Sequence, residues 1–262
     1  MVTAVDAAGL FATGLAAGFL GGIVGTGGCV IMLPVLALVF NYPIAEAIGT
    51  TVFAVIWTAT FGAINHGKLG NVDKDTGSVV MGAGAIGALV GSVIFAYLMS
   101  YKAALEVILG LAFLYAAVRM FYEGVRKIPG AEGDHIPGPP SKKAAIGFGI
   151  GILTGILGLG GGYALVPCFI YLLDAPVHIA VGTSMISMVP MATVSASYKM
   201  AQHVVDLIAG TLLGIGTIIG VRYGARVAAK IPAHYIKLLF GIYFGAVAIK
   251  FILSGLGIKV PI

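Results

Sequence analysis

The sequence predicts an all-α, polytopic membrane protein made of two inverted repeats of about five helical segments each. Three observations predict it. First, 59% of the 262 residues are apolar and only 10% are charged, whereas a soluble domain is about a quarter charged because its surface faces water. Second, no ionised side chain occurs between Asp6 and Glu46, between Asp75 and Lys102, or between Lys143 and Asp174. Uncharged apolar stretches of that length belong in a bilayer. Third, laying position n on position n+133 superimposes the two halves. Gly18, Gly22, Gly25 and Gly27 fall on Gly151, Gly155, Gly158 and Gly160, Pro34 falls on Pro167, and Gly49-Thr50-Thr51 falls on Gly182-Thr183-Ser184. Further along, Asp73 meets Asp206, and Gly87 and Gly91 meet Gly220 and Gly224. This is an internal duplication, a common way to build transporters.

In order along the chain, the first half has apolar segments at about 5–24, 29–40, 44–65, 76–99 and 102–122, and the second at about 143–157, 163–173, 177–199, 206–228 and 234–254. The N-terminus lacks the basic region of a cleaved signal peptide, so the first segment is expected to stay in the mature protein. The second segment of each half has about a dozen residues, whereas a span needs about 20. It also carries Pro34 or Pro167 and follows a glycine cluster, which suggests a broken or re-entrant helix. Between the halves, Gly124 to Lys143 holds six of the 25 charged residues together with Pro129, Pro137, Pro139 and Pro140. That composition marks a solvated linker. The expected organisation is therefore a first transmembrane repeat at 1–123, a linker at 124–141 and a second repeat at 142–262.

Charge indicates orientation. Arg126, Lys127, Lys142 and Lys143 put the linker in the cytoplasm, and Arg222, Arg226, Lys230 and Lys237 do the same for the loop before the last segment. The first-half counterpart of that loop, Tyr97 to Lys102, has a single basic residue and is placed outside. Corresponding loops on opposite sides mean inverted repeats. The net charge of +5 thus reflects membrane flanks and not a nucleic-acid surface. Cys29 and Cys168 both lie in apolar runs and do not indicate a disulfide framework.

The chemistry is expected at the two glycine clusters, Gly25-Thr26-Gly27-Gly28-Cys29 and Gly158-Leu159-Gly160-Gly161-Gly162. Such clusters unwind a helix and leave backbone N–H groups without partners, which the bilayer tolerates only beside protein or a polar cavity. A short helix begins just after each cluster, so its positive dipole end and free N–H groups converge on the break and favour an anion. Close packing through small residues is the alternative. The hydroxyls of Thr50, Thr51, Thr183 and Ser184, with Ser187 one turn beyond Thr183, extend the expected substrate site, although buried Ser and Thr also bond back to their own helix. Cys29 is either a substrate contact or a small core residue. Asp73 and Asp206 sit where carboxylates cap the fourth segment of each half. His66 and Glu46 are candidates for proton coupling. Lys199 and His203 lie in the region matching His66. Gly82-Ala-Gly84-Ala-Ile-Gly87 satisfies the dinucleotide fingerprint only in letters, because it lies within an uncharged span and lacks a βαβ setting; Gly87 and Gly91 read as helix-packing residues.

Gly158-Leu-Gly-Gly-Gly-Tyr-Ala-Leu-Val-Pro167, its looser copy Gly25-Thr-Gly-Gly-Cys-Val-Ile-Met-Leu-Pro34 and the Gly-Thr-[Thr/Ser] that follows each resemble the sulfite exporter TauE/SafE family, also called the 4-toluene sulfonate uptake permease family. The resemblance covers nearly the whole chain. It implies a multi-pass transporter in the plasma (inner) membrane of a prokaryote, moving a small sulfur-containing anion such as sulfite, thiosulfate, a sulfonate or sulfoacetate. Thr26 and Cys29 depart from the family pattern. With the cell interior negative, expelling one charge gains about 2.3 kcal/mol per 100 mV, so export can run as a uniport while uptake needs a coupled cation or a steep gradient. The expected partners are the small anion, the lipid bilayer and, in a homo-oligomer, further copies of the chain. No nucleic acid, cofactor or metal is expected. Two other readings are an anion channel and an intramembrane enzyme; for the enzyme, Ser184, Ser187 and Ser195 are available, but His178 and His203 lie at segment ends and no catalytic motif supports it.

Overall fold

The computed structural model describes residues 4–126, 133–228 and 233–258. Lys127, Pro129 and Lys230, which enter the charge argument, lie outside them. The described residues form ten helices and no strand: α1 (Ala4–Val24), α2 (Cys29–Leu38), α3 (Ile44–Lys68), α4 (Lys74–Leu98), α5 (Lys102–Arg126), α6 (Pro140–Leu157), α7 (Gly162–Leu173), α8 (Val177–Ala201), α9 (Leu207–Ala228) and α10 (Ala233–Gly255). Six of these are long and apolar enough to cross a membrane: those at 5–24, 44–68, 74–98, 102–126, 177–201 and 207–224. The protein is a multi-pass, all-helical membrane protein. α5 runs a turn beyond its apolar segment, to Arg126. There the Arg119–Glu123 pair, four residues apart, and Arg126 over the Tyr122 ring support the last turns. α6 starts early, at Pro140, because proline is welcome in the first turn, where its missing N–H has no helical partner anyway.

The two short helices double back. Gly25, Gly27 and Gly28 have φ of 80°, 71° and 72°, and Gly158, Gly160 and Gly161 have 67°, 64° and 83°. This left-handed region is routine only for glycine, so the clusters turn the chain through a reversal that no other residue would enter so cheaply. α2 returns along α1 until Phe40 lies beside Gly9. Likewise α7 returns along α6, and Lys142 Nζ reaches the Leu172 carbonyl at 3.4 Å. Each half therefore contributes one helical hairpin with a glycine tip and three long helices.

The halves interlock reciprocally. α1 packs on α9 as α6 packs on α4, α3 packs on both α8 and α9 as α8 packs on both α3 and α4, and α5 pairs with α10. Glycines bring the backbones together. Gly14 and Gly18 lie against the Leu213 and Thr217 carbonyls, and their equivalents Gly147 and Gly151 lie against Val80 and Gly84. Gly87 and Gly91 meet Phe148 and Ile152, as Gly220 and Gly224 meet Leu15 and Phe19. The apparent nucleotide fingerprint is thus a helix-packing surface of α4, of the small-residue kind that lets helices associate in lipid.

Loops repeat the exchange. The Asp73 N–H donates to Thr183 Oγ1 at 2.9 Å, and the Asp206 N–H donates to Thr50 Oγ1 at 3.0 Å. Both carboxylates cap the helix that follows them: Asp73 accepts from the N–H groups of Asp75 and Thr76, and Asp206 from those of Ile208 and Ala209. Asp73 also accepts from the Thr76 hydroxyl at 2.7 Å and the Ile136 N–H at 2.8 Å. Lys143 Nζ closes the network by donating to Thr76 Oγ1 and the Ile136 carbonyl. Burial alone would raise the Asp73 carboxyl. The bonds from Thr76 and Ile136 and the charge of Lys143 outweigh it and hold the group below its ordinary value.

Two outcomes follow from this packing. Gly151→Val places a side chain against the Gly84 carbonyl and should cost about 1–3 kcal/mol or more, read as a lowered thermal midpoint in detergent; Gly82→Ala, with nothing within 4 Å of the added carbon, should hold the wild-type midpoint. Because the folded state depresses the Asp73 pKa, its stabilisation is complete above the unfolded value of about 3.9 and is lost as pH falls through the lower folded value. Asp73→Asn should therefore destabilise at neutral pH by about 1–3 kcal/mol and flatten the acid limb of a stability-against-pH curve.

Candidate substrate site

The two glycine tips meet inside the bundle. A carbon added to Gly162 would lie 2.5 Å from the Gly25 carbonyl oxygen. Cys29 donates its thiol to the Leu159 carbonyl of the opposite tip at 2.7 Å and to the Thr26 carbonyl of its own at 3.0 Å. The Ser184 hydroxyl donates to the Val181 carbonyl at 2.8 Å and to the Gly25 carbonyl at 3.3 Å. Cys29 is fully buried and acts as a cross-tie between the halves, a position that its place in an apolar run does not reveal.

The tips are rich in donors. Among the described residues, the N–H groups of Thr26, Gly27, Gly28, Cys29 and Val30 make no backbone hydrogen bond, nor do those of Leu159, Gly160, Gly161, Gly162 and Tyr163. These are the first-turn donors of α2 and α7 and the loops before them, where an α-helix leaves N–H groups unsatisfied and concentrates partial positive charge. Such a cradle suits an anion.

Not all the expected site residues join it. Gly25, Thr26, Gly27, Gly28, Cys29, Gly158, Gly160, Gly161, Gly162 and Ser184 belong to the tips or touch them. Thr50 and Thr183 spend their oxygens on the Asp206 and Asp73 N–H groups in the interhelical loops, and Ser187 donates back to the Thr183 carbonyl at 2.7 Å. Thr51 is fully buried, and its hydroxyl has no hydrogen-bond partner among the described residues. Glu46 lies in the first turn of α3, on the side of Asp206 and away from the tips.

A cavity of about 90 Å³ opens from the tips. Of the expected residues only Thr26 and Gly162 line it; it then runs between α5 and α7 past Arg119, Glu123, Tyr163 and Val181. Most of its wall is aliphatic or aromatic. Neither Arg119 nor Glu123 stands out in the sequence, because both sit near the end of a segment where snorkelling charges are ordinary; the four-residue spacing between opposite charges was the only signal.

A second polar feature also escaped the sequence. Lys199 is fully buried in α8; its ammonium donates to the Gly155 carbonyl in the last turn of α6 and to Ser195 Oγ, and stands 4.2 Å over the Phe95 ring. A donor there satisfies a carbonyl left over where α6 breaks. Its equivalent at n−133 is His66, 4% exposed on α3 and beside the backbone of Gly22, the equivalent of Gly155. The duplicated scaffold thus holds an ionisable group at one buried position in each half. No cluster of three or more His, Cys, Asp or Glu side chains placed to hold a metal occurs among the described residues.

Comparison with known proteins adds a family. The profile described as "Sulfite exporter TauE/SafE" matches residues 10–251. "Probable membrane transporter protein YdhB" of Bacillus subtilis (strain 168) is 26% identical over 224 residues, covering 84% of this chain and 89% of that protein. A "Probable membrane transporter protein" of Xylella fastidiosa (strain 9a5c) is 27% identical over 236 residues, with 88% and 89% covered, and one of Methanocaldococcus jannaschii is 22% identical over 272 residues, with 93% and 94% covered. No solved structure matches the chain.

Lys199→Met should leave the Gly155 carbonyl without its donor inside the bundle, at a cost of about 1–3 kcal/mol. The expected result is a lower thermal midpoint in detergent, partly restored by Lys199→Arg.

Proposed function

The chain belongs to the Sulfite exporter TauE/SafE family of membrane transporters, and on that premise we propose that it moves a small sulfur-containing anion, of the sulfite, thiosulfate, sulfonate or sulfoacetate class, across the plasma membrane. The anion is held where the two glycine tips meet. The observation that carries this reading is the pair of facing helix breaks, whose N–H groups at 26–30 and 159–163 have no backbone acceptor among the described residues. An anion supplies the missing acceptor, and two converging helix N-termini stabilise its charge.

In this reading the repeats are inverted, the linker is cytoplasmic, and the hairpins α1–α2 and α6–α7 enter from opposite faces. The reciprocal packing of α1 on α9 and of α6 on α4 supports a two-fold relation between halves. Access alternates as one half rocks against the other about the shared tips. Ser184 of α8 flanks the first tip through its bond to the Gly25 carbonyl.

Counterflow in proteoliposomes tests the proposal. The wild type should exchange radiolabelled sulfite or thiosulfate saturably across the sealed membrane. Gly27→Ala and Gly160→Ala place side chains at φ of 71° and 64°, a strain of about 1–2 kcal/mol each. Both should elute as folded monodisperse protein and lose about five- to thirty-fold in exchange, since 1.4 kcal/mol is a factor of ten. Wild-type exchange rates in both variants would remove the glycine tips from the transport site.

A further inference from the structure

The cavity beside the tips differs from the rest of the interior in one respect. Its polar side chains are not inherited from the duplicated scaffold. Under the offset of 133, Thr26 falls on Leu159, Tyr163 on Val30, Tyr115 on Ala248, Arg119 on Ile252 and Glu123 on Leu256. The equivalent seam in the other half is therefore apolar at all five places, so the fold does not need these groups to close. The Arg119–Glu123 pair sits near the end of α5 with Glu123 buried and Arg119 partly so, and apolar replacements of such pairs are often neutral or stabilising. Where the other half holds isoleucine and leucine, the charges call for another role.

The geometry suits one. Arg119 Nε is 3.2 Å from Glu123 Oε1, and the guanidinium carbon stands 3.5 Å over the Tyr171 ring of α7. Tyr163 is 8% exposed, and its buried hydroxyl has no hydrogen-bond partner among the described residues. Arg119, Glu123 and Tyr163 line the same cavity as Thr26 and Gly162 of the tips. α5, which carries the charged pair, packs chiefly on α10 and only lightly on the rest of the bundle, so the cavity lies along a seam.

Resting on the transport reading above, we infer that Arg119 supplies the positive charge that selects a small oxyanion in this cavity, with Glu123 as its counter-ion while the cavity is empty and the Tyr163 hydroxyl as a second donor. A guanidinium carries five N–H donors in a fork matched to oxyanions. An arriving oxyanion and Glu123 compete for it, since both carry negative charge to the same group. Glu123 therefore sets the affinity, and the anion displaces it toward the end of α5.

The test is counterflow of radiolabelled sulfite and thiosulfate by the full chain, with half-saturation and maximal rate measured separately. Glu123→Gln should lower the half-saturation concentration several-fold, because the competitor is gone. Arg119→Gln should raise it at least about tenfold, the scale of a lost charge-assisted hydrogen bond, with Arg119→Lys intermediate and Tyr163→Phe raising it several-fold. Since Arg119→Gln leaves Glu123 buried beside a neutral partner, the double variant Arg119→Gln/Glu123→Gln provides a neutral, well-folded control. It should match the single Arg119→Gln defect. A double variant that keeps wild-type half-saturation, or a Glu123→Gln that leaves it unchanged, overturns the assignment while leaving the glycine-tip reading intact. A wild type that exchanges neither anion overturns both.

Discussion

Inside a bilayer no water is available to accept a hydrogen bond from a bare backbone N–H, so each such group must be satisfied by the protein or by what the protein carries. This constraint governs the molecule. α2 and α7 begin within the bundle after glycines in left-handed conformations, and their tips meet, with the Cys29 thiol of one 2.7 Å from the Leu159 carbonyl of the other. A structure that only had to span the membrane would have no reason to break there, and the proposed anion is the simplest acceptor for what the breaks expose.

Holding two such breaks in register takes cross-bracing. The Cys29 thiol and the Ser184 hydroxyl reach across to the opposite hairpin or its neighbour, and Lys199 satisfies the carbonyl end of α6 just before its break. At the periphery the two Asp–Thr exchanges tie the loop of one half to the third helix of the other. The Cys29, Ser184 and Asp–Thr bonds run between halves, while the Lys199–Gly155 bond lies within the second. Folding one half alone would leave the groups that bond between halves unpaired in lipid, at a cost of several kcal/mol per group.

The reciprocal scaffold and the site differ in how far they obey the duplication. Glycine contacts, helix caps and interhelical exchanges recur at both members of each pair, as expected of parts whose role is closure. The cavity does not recur: its arginine, glutamate and two tyrosines face aliphatic equivalents. Symmetry of this kind separates what any copy of the repeat must keep from what one copy was free to change.

Composition, charge spacing and the offset of 133 were enough to place the described helices, both breaks and the capping aspartates, because these depend on local chemistry: lipid excludes charge, left-handed backbone demands glycine, and an exposed helix start prefers a carboxylate. The same reasoning could name Gly25–Gly28 and Gly158–Gly162 but could not say that Thr50 and Thr183 turn away to bind loop amides, that Cys29 reaches the opposite tip, or that Lys199 is sealed within the bundle. Nor could it single out Arg119, whose surroundings in the chain look like an ordinary membrane flank. Those facts rest on contacts between residues up to 156 positions apart, and only the tertiary packing decides which side chain meets which partner.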